Sequence, residues 1–252
     1  MGKFKNNILS IAAPLLMFLI VFGFWEIVVR SLEIPKWLLP APTGIIKSMV
    51  VNFKEFWPHI FMTMKTVFIG FIIAVPIGLL LASLITSFKL VNAALSPYII
   101  FLVTTPLITL VPLLMLFMGY GIEMRVVTVI IQSFAIVNMN AATGFVNVPI
   151  IRTELMQSLG ATRIQSFRHS ILPTALPDIF TGIRLASIFS TTACISVEYV
   201  GGNNGLGSQI IKNSQFLKTT ESFACIFYVT LIGLVLYGII SFAEKKAIYW
   251  KI

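Results

Sequence analysis

The chain of 252 residues is 58% apolar and only 11% charged, with a mean hydropathy of +0.96. A globular surface carries roughly 25% Asp, Glu, Lys and Arg, so soluble enzymes are excluded and a membrane protein is indicated. The net charge of +9 comes from cations scattered between apolar runs, which excludes a basic nucleic-acid-binding face and reads as topology information.

The first apolar run, Ile8 to Val29, is longer than a secretory signal core and lacks an Ala-x-Ala-like cleavage site, so it predicts a retained first span. Five further runs, Ile60 to Ile85, Ala93 to Met118, Val126 to Phe145, Pro173 to Val197 and Phe223 to Phe242, each approach or exceed the ~20 residues that cross a bilayer. The expectation is an all-α polytopic protein with about six transmembrane helices and both termini on one side. Placing the termini in the cytoplasm puts Lys3, Lys5, Lys89, Arg152, Arg163, Arg168, Lys245, Lys246 and Lys251 inside. It leaves Arg30, Lys36, Lys47, Lys54, Arg125, Lys212 and Lys218 outside, the weaker set under the positive-inside rule.

Between the first two runs, Pro35 to Trp57 carries apolar residues at helical spacing, with Trp37 and Trp57 suited to the headgroup level. This predicts an interfacial helix. Glu26 and Lys65 read as side chains snorkelling from span ends. Residues 1–58 therefore form a first span with an outer helix, and 59–252 a core.

The segment Val148 to Leu172 predicts two short helices. Pro149 suits a first turn, Gly160 the left-handed position that ends a helix, and Thr162 caps a second piece that runs through Arg168 until Leu172-Pro173 breaks it. Ile151, Leu155 and Leu159 share one face of the first piece, suited to a groove on another protein.

In the fifth run Asp178 and Arg184 do not stack on one face, and a bridge from Arg184 to a neighbouring helix is at least as reasonable as an anion contact. Gly182, Ala186 and Ser190 recur every four positions, the spacing of close helix approach in lipid. Residues left over for a polar path are Gln132, Asn138, Asn140, Arg184, Ser190, Thr191 and Glu198, with Thr104, Thr105 and Thr109 beside Pro106. The glycine cluster Gly201 to Gly207 reads as an outer loop turning back with Glu198 at its entrance. No Walker-type phosphate loop is present. Cys194 and Cys225 have no ligand spacing, and the lone His59 and His169 make a metal site an unfavoured reading. No cofactor is expected.

The stretch Glu154-Leu-Met-Gln-Ser-Leu-Gly160-Ala161-Thr-Arg163, closing in Ile171-Leu172-Pro173, resembles the EAA loop of permease subunits of binding-protein-dependent ABC importers. Leu39-Pro40-Ala-Pro42, Pro106 and Pro112, Gly119-Tyr-Gly121, Ala175-Leu-Pro177, Gly182-Ile-Arg184-Leu-Ala186, Glu198-Tyr199 and Gly201-Gly202-Asn-Asn-Gly205-Leu206-Gly207 are similar to the subgroup that imports sulfonates, taurine, nitrate or pyrimidine vitamin precursors. Leu155 and Met156 stand where that family usually has two alanines, and Ser170 where an aliphatic residue is common.

The resemblance implies a type I importer permease at the inner membrane. Its partners would be a separate cytoplasmic ATPase, an extracytoplasmic binding protein, a second copy of the chain and the lipid bilayer, with no nucleic acid. It implies an ATPase-coupling role for Glu154, Leu155, Met156, Gly160, Ala161, Arg163, Leu172 and Pro173, which would transmit ATPase closure to the spans. The alternative, an ion-gradient-driven secondary transporter, would call for a repeat with broken helices. An intramembrane enzyme would call for a catalytic constellation. Neither is found.

Overall fold

The computed structural model describes residues 2–249, with side chains from residue 12 onward. The side chains of Lys3 and Lys5, and all of Lys251, lie outside the described residues. The regular elements among the described residues are all helices, with no strand: α1 (Gly2–Ser31), α2 (Pro42–Val51), α3 (Phe53–Ser87), α4 (Lys89–Thr104), α5 (Leu107–Met118), α6 (Ile122–Val146), α7 (Ile150–Ser158), α8 (Arg163–Ser166), a π-helical turn (Phe167–Ile171), α9 (Leu172–Gly201), α10 (Leu206–Gln215) and α11 (Thr219–Ala247).

Five helices are long and apolar enough to cross a membrane. The third expected span, Ala93 to Met118, is not one rod but a pair, α4 and α5, bent by 105°. The break lies at Thr105, whose extended backbone (ψ 123°) precedes Pro106. A proline pushes the residue before it out of the helical region and has no N–H to donate. The hydroxyls of Thr104, Thr105 and Thr109 donate to carbonyls of their own helices, Ile100, Phe101 and Pro106, so each is satisfied locally. At 12 residues, α5 is about 18 Å long and too short to span alone.

Two compact units emerge, Met1–Pro58 with Gln209–Phe227, and His59–Ser208 with Tyr228–Ile252. In the first, the predicted interfacial helix is shorter than Pro35 to Trp57. It is α2 alone, and Phe53 to Trp57 already belong to α3. Glu26 does more than snorkel: it accepts from the Thr43 amide at 3.0 Å and the Thr43 hydroxyl at 2.7 Å, and pairs with Arg30. That bond supplies the cap α2 lacks, since its own N-cap is Ala41.

In the second unit, α6 and α9 pack along their length around Val129, Val137, Ala141, Ala175, Ile179, Ile183 and Ala186. The small residues of α9 permit this. A Cβ on Gly182 would lie 2.6 Å from that of Asn140, and one on Gly144 of α6 would lie 2.8 Å from that of Asp178. On α3, Gly70, Ala74, Gly78 and Ala82 form a second stripe at four-residue spacing, and a Cβ on Gly70 would meet Val129 of α6 at 2.6 Å. Without a hydrophobic force between helices in lipid, such backbone approach is how they gain contact.

Candidate functional site

The connection from α6 to α9 is built as the sequence predicts up to Arg163, then departs from it. Pro149 precedes α7 as its N-cap, and Gly160 follows it at φ +74°. The Gly160 amide donates to the Gln157 carbonyl at 2.9 Å and the Ala161 amide to that of Met156 at 3.0 Å, a Schellman ending that only a left-handed residue permits cheaply. Thr162 caps α8: its hydroxyl accepts from the Gln165 amide at 3.3 Å, while Gln165 Oε1 accepts from the Thr162 amide at 2.8 Å. Leu172-Pro173 does not break the chain. The π-turn carries the helix on, and Pro173 falls in the first turn of α9. Ser170 is buried in that turn.

This segment stands out from the bundle. No residue of α7 is buried, and Ile151, Leu155 and Leu159 are 74%, 59% and 73% exposed along one face. Glu154 and Arg163 are exposed, Met156 and Ala161 half-buried. The base is anchored: Arg152 donates to the Thr174 hydroxyl of α9 at 2.7 Å, and the Phe145 and Phe167 rings meet at 5.5 Å. Leu172 packs against the α6–α9 core. α7 is therefore joined to α9 and α6 through short connections.

The residues expected along a path do not share one cavity. Thr191 lines a groove of about 700 Å³ between α9 and α11, beside Thr192, Ser196, Tyr199, Thr230 and Tyr237. Its described lining has hydroxyls and aliphatic side chains but no charged residue. Ser190, next to Thr191, is buried and donates to the Ser187 carbonyl at 2.8 Å. Asn138 is buried, reaches the Gly78 carbonyl at 3.4 Å, and borders a separate cavity of about 460 Å³ with Lys89, Asn92 and Asn147. Gln132 is half-buried on α6. Arg184 bridges to Glu244 of α11 at 3.2 Å, the structural option of the two weighed for it.

Glu198 lies in the last turn of α9, where the glycine loop begins. It is 0% exposed and is the centre of a cluster drawn from four helices. Both its oxygens accept from the Thr63 hydroxyl, at 2.8 and 2.9 Å, Oε2 accepts from the Gly207 amide at 2.9 Å, and Cys194 Sγ is 3.6 Å away. Arg125, 5% exposed, lies 3.9 Å from it and donates to the Asn204 carbonyl at 2.7 Å. The Leu206 amide donates to Thr63 Oγ1 at 2.9 Å and the Gly205 amide to His59 Nδ1 at 3.2 Å. The first amides of α10, which have no intrahelical partner, are thus met by a carboxylate and a hydroxyl, the favourable sign at a helix N-terminus.

Gly205, at φ +113°, passes directly over the carboxylate, and a Cβ there would fall on it. Reading Arg125 as an outer-loop cation misses this cluster, as does passing over Thr63. The signal was the coincidence of one ionisable group near the end of each of two spans with a glycine-rich turn between helices.

The chain matches, over residues 74–249, the family described as the binding-protein-dependent transport system inner membrane component. It belongs to that family. It is 28% identical over 239 residues to the formylaminopyrimidine transport permease protein ThiX of Halalkalibacterium halodurans, covering 94% of this chain and 95% of that protein. It is 25% identical to the aliphatic sulfonates transport permease protein SsuC, named as putative, of Bacillus subtilis (94% and 87% covered). It is 26% identical to the taurine transport system permease protein TauC of Escherichia coli (84% and 80% covered).

Among solved structures it resembles an amino acid ABC transporter (TM-score 0.64, 25% identity, 79% of this chain and 97% of that one covered). It shares its fold with the methionine ABC transporter MetNI in an inward-facing conformation (TM-score 0.57, 21% identity, 80% and 96% covered). The chain is therefore the membrane-spanning permease subunit of an ATP-driven ABC importer, a multi-pass inner-membrane protein that forms the translocation pathway. It is a transport subunit rather than an enzyme, with ATP hydrolysis in a separate ATPase and solute delivered by a binding protein.

Proposed function

We propose that residues 148–172 are the coupling segment of this permease, that two copies of the chain form the working membrane unit, and that both termini lie in the cytoplasm. The observation that carries the reading is the bare apolar face of α7. Three large apolar side chains stand exposed on a helix with nothing buried, and in a polar loop such a stripe calls for a partner groove. Glu154, Leu155 and Met156 would meet the ATPase, Gly160, Ala161 and Arg163 would fix the turn, and Leu172 and Pro173 would hand the motion to α9. Because α7 is joined to α9 through α8 and the π-turn, closing of the ATPase pair would rock α9 and α6 together. Loaded binding protein on the far side would bias the opposite state.

The hydroxyl-lined groove beside α9 supports the paired arrangement. Thr191, Thr192 and Ser196 bond to carbonyls of their own helix, which leaves a largely apolar concave face walled by Tyr199 and Tyr237, and a second copy would cover it and complete a central path. Thr191 would line it, Ser190 and Glu198 would support it from behind, and Gln132, Asn138 and Arg184 would sit off it. The family match over residues 74–249 supports taking 59–252 as the permease core and 1–58 as a peripheral addition. The solute is a small molecule of the classes for which the relatives are named, a pyrimidine precursor, a sulfonate or taurine.

Co-purification with its ATPase tests the coupling reading. Glu154→Lys and Gly160→Pro should each weaken the complex, whereas Leu155→Ala should be tolerated, since Ile151 and Leu159 keep the stripe. Uptake into liposomes driven by an ion gradient alone would defeat the reading.

A further inference from the structure

In the first compact unit a cavity of about 660 Å³ opens where α1 ends, between its last turn, the 33–41 connection, α2 and the start of α11. Three cations, Arg30, Lys36 and Lys47, and two acids, Glu33 and Glu221, line it. Arg30 is held in place by its pairing with Glu26 and by a bond to the Thr43 hydroxyl at 3.0 Å. On the α2 side the wall is recessed at Gly44, where a Cβ would meet nothing within 4 Å. The opposite wall is fastened by the Thr219 hydroxyl, which donates to the Trp37 carbonyl. Val51 of the lining is exposed, as are Trp37, Leu38, Ile46 and Val50, which neighbour lining residues in sequence.

These features are those of a chain segment at a membrane–water boundary. Exposed Trp, Leu, Ile and Val beside the end of a span belong at the edge of the hydrocarbon, and Lys and Arg one step further out belong among headgroups. The cavity therefore opens at the level where phosphodiester groups lie. With Arg30 paired to Glu26, Lys36 and Lys47 are left to match a phosphodiester, and the two acids match an amine carried by the same molecule. A free anion would satisfy one sign and leave Glu33 and Glu221 facing more negative charge.

We infer that this cavity seats the headgroup of a membrane phospholipid, its phosphodiester against Lys36 and Lys47 beside Arg30 and its amine toward Glu33 and Glu221, with the acyl chains leaving past Val51 of α2. The headgroup then braces α2 against α1 as a non-protein part of the unit. This role needs nothing from the coupling segment.

The full-length chain, extracted in mild detergent from vesicles of phosphatidylethanolamine and phosphatidylglycerol, can be weighed by native mass spectrometry. Wild type should retain phosphatidylethanolamine, in excess over the glycerol lipid. Lys36→Gln with Lys47→Gln should lower retention roughly tenfold or more, because each basic group near a lipid surface contributes appreciably. Both lysines are exposed, so the change spares the fold. Gly44→Leu, which keeps every charge and fills the recess, should lower it as well, while Lys54→Gln, outside the cavity, should not. Retention unchanged in the double variant and in Gly44→Leu, equal retention of the two lipids, or displacement of the lipid by inorganic phosphate would each overturn the assignment, the last by marking a free-phosphate site.

Discussion

The Thr63 hydroxyl of α3 donates to the Glu198 carboxylate of α9 across a sequence separation of 135 residues, and both side chains are closed off from solvent. A buried carboxylate is costly unless charge and hydrogen bonds compensate it. Here Arg125 supplies the charge, while Thr63 and the Gly207 amide supply the bonds. The return is geometric, since the cluster ties α3, α6 and α9 to the glycine loop and to the first turn of α10.

Removing the carboxylate should therefore cost more than removing one of its donors. Glu198→Ala leaves Arg125 buried without its counter-charge, and a loss of about 3 kcal/mol is expected. Thr63→Val removes one hydroxyl and should cost about 1–2 kcal/mol. Thermal unfolding of the purified full chain in detergent gives the order, and equal effects of the two changes would contradict a charge-centred cluster.

Two glycines of positive φ should behave differently when changed to alanine. Gly160 (φ +74°) has open space around its missing side chain, so Gly160→Ala should cost only the left-handed penalty of about 1 kcal/mol. Gly205 (φ +113°) lies where a Cβ falls on the Glu198 carboxylate, so Gly205→Ala should cost well over 2 kcal/mol or prevent folding. The same unfolding assay ranks them.

Arg184 and Glu244 should act as a pair. Each is partly shielded, and they lie 3.2 Å apart, so Arg184→Glu alone should destabilise the α9–α11 contact by about 1–2 kcal/mol and Glu244→Arg should restore most of it. An additive double variant would show that the bridge carries no coupling.

Much of this architecture is legible in the sequence because lipid simplifies the code: long apolar runs mark spans, and Pro149, Gly160 and Thr162 mark local helix ends. The α4–α5 break is harder to read, since both halves are equally apolar and one Thr-Pro step decides between a straight rod and a 105° bend. Arg125 and Glu198 read as loop-edge charges because a one-dimensional pattern gives depth only through neighbours. Their burial depends on Thr63 and on the fold-back of residues 202–207, contacts that no local spacing encodes. The Gly70, Ala74, Gly78 and Ala82 stripe on α3, by contrast, was readable and has the same four-residue spacing as that of α9.

On α7, a charge should disturb docking where a truncation does not. Leu155 is exposed, so Leu155→Asp should leave the melting temperature of the permease unchanged while lowering recovery of the bound ATPase at least tenfold. Equal recovery would remove the apolar face from the interface.

The side of the membrane on which α7 stands is the decisive quantity. With Cys194 and Cys225 replaced by serine and Leu155→Cys introduced, a membrane-impermeant thiol reagent can be applied to right-side-out and to inverted vesicles. Labelling in inverted vesicles alone, blocked when the ATPase is bound, is the predicted result. Labelling in right-side-out vesicles would place α7 beyond the reach of any cytoplasmic ATPase and contradict the account.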